Sequence, residues 1–179
     1  DKSFEKMRLC YHRIFRRMGL EAFGVEADPG DIGGTGSMEF MLAAATGEDT
    51  ILIEESSGYA ANSEKAVSRL SPPASLGEAE RPMRIESTPG IRTCEQLASF
   101  FPSVPLSQML KTVFFKAVHK DREVLWAALI RGDQQINEVK LRNQTGGLAL
   151  VMLTDEEIRL HTGADQGFAG PVALPNTIK

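Results

Sequence analysis

Cysteine is scarce: two in 179 residues, Cys10 and Cys94. They stand far apart and form no CxxC pair. They read as reduced thiols, which excludes a disulfide framework and a cysteine zinc knuckle. Histidine is nearly as rare. His12, His119 and His161 have no carboxylate or cysteine at ligand spacing, so no metal site is expected. No apolar run approaches the ~20 residues that span a bilayer. The amino-terminal DKSFEKMRLC is charged and lacks the small-residue cleavage site of a secretory signal. A basic excess is missing too: 20 Lys and Arg face 24 Asp and Glu, a net charge of −4. Broad electrostatic binding to nucleic acid needs a basic surface. Any contact with nucleic acid is therefore expected to be local and chemically specific.

The common nucleophile and phosphate signatures are also absent. No GxSxG occurs, and no cysteine has a histidine nearby in sequence. GGTGS (33–37) lacks the third glycine of a dinucleotide loop and the Lys-Ser/Thr of a P-loop, so it reads as a tight loop between strands. Glu54 and Glu55, adjacent in a strand, would point to opposite faces and could not share a site. Glu156 and Glu157 fit a helix first turn, where the dipole favours carboxylates.

What is present supports a folded core, with 42% apolar residues. Residues 3–18 predict an amphipathic helix, with Phe4, Met7, Tyr11, Ile14, Phe15 and Met18 on one face and Gly19 at C′. Strands are expected at 22–27, 37–44 and 49–55. A short helix is expected within 56–70, and SPPASLGEAERP reads as linker. A domain boundary is placed near residue 60, with 61–90 as connecting segment. From residue 91 the pattern is α/β. Thr93 and Gln96 form a capping-box pair opening a helix that Pro102 stops. PLSQML predicts a short helix, and LKTVFFKAV and VLWAALIRG predict strands. INEVKLRN predicts a helix, GLALVML a strand, and TDEEIRL a helix boxed by Thr154 and Glu157. GADQGFAGPVALP reads as a glycine-rich loop feeding a short strand.

Two lysines interrupt LKTVFFKAV. Lysine is costly to bury without a partner for its charge. Lys116 suits an exposed strand face or an edge where it can snorkel. Lys111 stands at a helix-to-strand junction, where a side chain can point into a cleft. In GFAGP (167–171), free backbone N–H groups could bind an oxyanion or simply make a turn. In SMEF, Glu39 reads as a solvent-facing strand position. The residues alone leave these alternatives open.

YHRIFRRMGLEAFGVEADPGDIGGTGSMEF resembles the segment after motif 2 in the catalytic domain of bacterial-type prolyl-tRNA synthetases. GEDTILIEESSGYAAN resembles that family's next strand and the approach to its inserted domain. ESTPGIRTCEQLASFF, LKTVFFKAV, ALIRGDQQINEVKL, TDEEIRL and GFAGPVALP resemble the inserted editing domain, in order. The resemblance implies a mixed α+β and α/β fold. A partial class II antiparallel sheet (1–60) would precede a deacylase-like editing domain (91–179) with a mixed sheet flanked by helices. It implies hydrolysis of alanine mischarged onto proline tRNA. Lys111 is then the essential lysine, with Gly167 as the second catalytic position. Thr112, Gly170, Pro171 and Asn137 are implied to meet substrate. Ser37 and Glu39 would belong to the parent's synthetic site, and Met38 stands where the family has histidine.

The resemblance further implies no cofactor for editing, with ATP and magnesium used only by the full-length parent. The partners implied are the aminoacylated 3′ end of proline tRNA and the rest of the synthetase. The location implied is cytoplasmic, with no membrane contact. The chain, which does not begin with Met, is expected to be a monomeric piece of a homodimeric parent. It is not expected to charge proline, and the family's insertion extends past Lys179. Lys111 would act electrostatically, anchoring the terminal adenosine phosphate or orienting the aminoacyl end. Water would be activated by the free ribose hydroxyl of the substrate. The competing expectation is a module that binds the 3′ end with little turnover. An unrelated α/β domain stands as the third.

Overall fold

A computed structural model describes residues 2–30, 33, 34, 36–68, 82 and 84–179. Thr35 of GGTGS and nearly all of the expected linker lie outside the described residues. The chain divides into two units, Asp1–Pro72 and Pro73–Lys179.

The first unit opens with α1 (Lys2–Arg17). Gly19, at φ 73°, ends it in a Schellman arrangement. Its N–H donates to the Arg16 carbonyl and the Leu20 N–H to that of Phe15, at 3.1 and 3.0 Å. The expected apolar face exists but is thinly covered: Tyr11, His12 and Phe15 contact Phe40, yet no residue of α1 is buried. The sheet contains β1 (Ala22–Ala27), β2 (Ser37–Leu42), β3 (Ile51–Glu54) and β4 (Tyr59–Asn62), in the order β2-β1-β4-β3. Val25, Ala27 and Ala61 are fully buried in it.

β4 corrects the expected helix. Within 56–68 the described chain makes a strand followed by turns. The cause is local. The Glu54 carboxylate accepts from the Ser56 N–H and hydroxyl and from the Ser57 N–H. Gly58 then takes φ 71°, and β3 and β4 close as a hairpin. Glu55 falls in this turn, outside the strand expected over 49–55.

The second unit contains α2 (Cys94–Phe100), a 3-10 turn at Leu106–Gln108, β5 (Leu110–Val118) and β6 (Glu123–Arg131). It continues with α3 (Glu138–Thr145), β7 (Ala149–Met152) and α4 (Asp155–Thr162). Both expected capping boxes are formed, at Thr93/Gln96 and Thr154/Glu157. Strand order is β6-β5-β7, antiparallel throughout. On one face Phe114, Leu153 and Ile158 form a buried cluster, joined by Leu125, Ala127, Ala169, Leu174 and Ile178. On the other face Phe115 is 1% exposed, a burial worth roughly 1.5–3 kcal/mol.

The sheet types are therefore the reverse of the expectation. The mixed sheet is in the first unit, because β1 and β4 run parallel through Glu26 and Ala61. The second unit's sheet is antiparallel. The expected carboxy-terminal strand is also absent: one parallel bridge joins Leu125 and Ile178. Pro171 and Pro175 have no N–H to give a ladder, and Ala173 sits at φ 59°. The tail still lies along β6, where Lys179 donates to the Leu125 carbonyl and accepts from the Ala127 N–H at 3.0 and 2.9 Å.

Candidate active site

The site arises because β7 is shorter than β5. β7 pairs with β5 only from Phe115 to Val118. One further bond, from Leu153 N–H to the Phe114 carbonyl at 3.0 Å, closes the ladder. Thr154 then caps α4 and the chain turns away. Beside the first half of β5, no third strand among the described residues continues the sheet. A cleft of about 770 Å³ opens there, walled by the start of α2, the start of β5, Ile158 and the 166–171 loop.

Lys111, Thr112, Gly167, Gly170 and Pro171 all line this cleft. Lys111 is half-buried, and its ammonium lies 3.5 Å from the Gly132 carbonyl oxygen. That is a long contact. Among the described residues, no carboxylate lies within ion-pair distance of it. Its charge still reaches neighbours through space. The Glu95 carboxyl is held below its ordinary value chiefly by its own backbone N–H and by Thr93, with Lys111 adding to the effect. The Asp133 carboxyl is lowered chiefly by Arg131, and Lys111 contributes there too.

Lys116 is five residues on and so points to the opposite face of β5. Its ammonium meets Glu157 at 3.1 Å and Glu123 at 3.5 Å. The hydrogen bond to Glu157, then the charge of Glu123, raise the Lys116 pKa. The two lysines are thus separated by their partners. Lys116 ties β5 to α4, while Lys111 lines the cleft without a carboxylate partner among the described residues.

The two loop glycines differ. Gly167 has φ +87°, and a Cβ there would lie 2.9 Å from both Cβ and O of Arg92. Only glycine lets the loop pack so closely. A Cβ on Gly170 would meet nothing within 4 Å. Arg92 completes the clamp, its guanidinium lying 5.4 Å from the centre of the Phe168 ring. Sequence reasoning missed Arg92, for which nothing beyond its place before a helix cap gave a sign. It also missed Gly132, where a Cβ would lie 2.8 Å from the Leu106 carbonyl oxygen.

Asn137 is not in this cleft. It caps α3, accepting from the Lys140 N–H at 3.0 Å, and lines a separate shallow concavity with Ile130 and Gln134. Ser37 and Glu39 are on β2 of the first unit, with Glu39 exposed. Among the described residues, no group of three or more His, Cys, Asp or Glu could hold a metal ion. Among the described residues, no helix is long and apolar enough to cross a membrane.

Residues 88–179 match the model of the aminoacyl-tRNA editing domain, and the chain belongs to that family. Every residue lining the cleft falls within the matched segment. The relatives are more particular. The chain is 45% identical over 177 residues to the proline–tRNA ligase of Nitratidesulfovibrio vulgaris, covering 97% of this chain and 29% of that protein. It is 43% identical over 179 residues to the proline–tRNA ligase of Fusobacterium nucleatum, covering 100% and 30%. To that of Gloeobacter violaceus it is 43% identical over 176 residues, covering 97% and 29%. The chain thus spans less than a third of the length of these relatives.

Proposed function

We propose that the second unit hydrolyses the aminoacyl ester of alanine mischarged onto proline tRNA, as the editing part of a proline–tRNA ligase. The observation that carries this reading is Lys111: a half-buried lysine in a cleft, without a carboxylate partner among the described residues. Such a charge is unfavourable unless an anionic ligand completes it. Its role is to anchor the 3′-terminal adenosine through phosphate or to orient the aminoacyl end.

Water adds to the ester carbonyl carbon, and the bond from that carbon to the ribose oxygen then breaks. The ribose oxygen takes up a proton, releasing alanine and free tRNA. Backbone N–H groups of the 167–171 loop stabilise the oxyanion, and the neighbouring ribose hydroxyl activates the water. The need for such a step is physical. A pocket shaped for proline rejects a smaller side chain by only ~1–3 kcal/mol, so a second, smaller pocket is required. In this reading the first unit is part of a class II catalytic sheet, with Ser37 and Glu39 near the synthetic site. The partners are proline tRNA and the rest of the ligase, in the cytoplasm, and editing needs no cofactor.

The test is hydrolysis of alanyl-tRNA(Pro) beside prolyl-tRNA(Pro), by the chain and its Lys111→Ala variant. The expected result is cleavage of the alanyl ester alone, lost in a variant that keeps its circular dichroism. Binding of the tRNA without cleavage of either ester would replace this reading with that of a binding module.

A further inference from the structure

The interrupted sheet leaves a particular pair of main-chain groups unused. In β5 the odd-numbered residues bond toward β6. The Met109 carbonyl, just before the strand, accepts from the Gly132 N–H at 2.8 Å, and His119, just after it, donates to the Arg122 carbonyl at 2.8 Å. The even-numbered residues bond toward β7. Phe114 O accepts from Leu153 N–H at 3.0 Å and Val118 O from Leu148 N–H at 2.7 Å. Thr112 follows the even set, so its N–H and C=O both face the side where β7 has ended. Thr112 itself lines the cleft. Among the described residues neither group has a hydrogen-bond partner on that side.

This is a short open sheet edge, beside Lys111 and in the cleft that the glycine loop also lines. A residue on such an edge offers one donor and one acceptor about a single Cα. In an antiparallel pair, two facing residues exchange both bonds. An aminoacyl ester has the complementary set. Its α-ammonium donates, its ester carbonyl accepts, and one Cα joins them.

We propose that the open edge at Thr112 binds the aminoacyl group as a one-residue β-strand, the α-ammonium donating to the Thr112 carbonyl and the ester carbonyl accepting from the Thr112 N–H. This rests on the editing reading and specifies how the substrate is held. It uses the chemistry by which sheets capture extended peptides, shortened to one residue. It also adds a criterion beyond size. Proline's ring replaces one ammonium N–H with a carbon and fixes the directions of the two that remain. Alanine meets the edge without that constraint. The cleft then distinguishes the two esters by donor geometry as well as volume.

The test uses the ¹⁵N-labelled full 179-residue chain and two non-hydrolysable probes. One is 3′-deoxy-3′-alanylaminoadenosine; the other is its propionyl counterpart, which lacks only the ammonium. In the free chain the Thr112 amide proton should exchange faster than those of Val113 and Phe115. Saturation with the alanyl probe should slow Thr112 exchange at least about tenfold, the equivalent of one added hydrogen bond. The propionyl probe should bind at least about tenfold more weakly. A Thr112 amide already protected in the free chain, or indifferent to the bound alanyl probe, overturns the proposal. So does equal affinity for both probes, or no binding of either. Ester hydrolysis, measured separately, distinguishes the two readings. Cleavage with a silent Thr112 leaves editing standing and removes the edge. A responsive Thr112 without cleavage leaves the edge as a binding site and removes turnover.

Discussion

The Lys111 ammonium lies 3.5 Å from the carbonyl oxygen of Gly132, a buried residue 21 positions further along the chain. Gly132 also donates its N–H to the Met109 carbonyl at 2.8 Å, and its Cα lies too close to Leu106 for a side chain. One glycine therefore closes the start of the β5–β6 ladder and places a carbonyl beside the cleft lysine.

Gly132→Ala should accordingly destabilise the second unit by about 1–3 kcal/mol through overpacking against backbone. Under the editing reading it should also reduce hydrolysis, because Lys111 is displaced. Denaturant unfolding and single-turnover hydrolysis check this together. Unchanged stability would show that the 3-10 turn yields freely.

The two loop glycines should respond differently to alanine. Gly167→Ala forces a side chain into a left-handed backbone, costing about 1–2 kcal/mol, and against Arg92 as well. Gly170→Ala has open space and should leave stability within about 0.5 kcal/mol. Thermal unfolding of both variants decides. Equal losses would mean that Arg92 does not hold the loop.

Lys116 should support stability up to alkaline pH, where that support is lost, and matter little for hydrolysis. Its pKa is raised in the fold, so its contribution is complete below the ordinary lysine value of ~10.4. It is lost as pH rises through the raised value. Glu157 behaves oppositely. Its carboxyl is lowered, first by the Thr154 N–H and then by Lys116, so its contribution holds above ~4.3 and fades in acid. Lys116→Met should flatten the alkaline unfolding curve while hydrolysis stays within about threefold of wild type. A large loss of hydrolysis with the fold intact would return Lys116 to the site.

Glu54 sets an acid limit for the first unit. The Ser56 hydroxyl, then the Ser57 hydroxyl and the two N–H groups, lower its carboxyl to about 2. The hairpin's support from this group is present above ~4.3 and is lost as pH falls toward 2. Glu54→Gln should remove that dependence. The Tyr59 amide resonance, followed from pH ~5 to ~2, reports it. Parallel loss in both proteins would discount the turn as the acid-sensitive element.

Local signals were legible in the sequence wherever the structure is local. Thr93/Gln96 and Thr154/Glu157 announce their helices by spacing, and both boxes are formed. Gly19 ends α1 as expected. What failed depends on distant partners. Tyr59–Asn62 becomes a strand because β1, more than thirty positions earlier, supplies a parallel neighbour at Glu26. The tail fails as a strand because its prolines cannot extend a ladder whose other side is already formed. In the site, Lys111, Thr112 and the glycine loop could be picked out through resemblance. Their convergence depends on where β7 stops, which composition does not encode. Gly132 and Arg92 act through close approach across the fold, and periodicity has no signature for that.

The uncovered face of α1 has a practical consequence. Phe4, Met7, Tyr11 and Ile14 remain 44–51% exposed along one helix. Kosmotropic salts strengthen the association of such surfaces. The chain should therefore bind a phenyl chromatography resin at moderate ammonium sulfate and elute late, despite its net charge of −4. Replacing Met7 and Ile14 with glutamate should bring it off earlier.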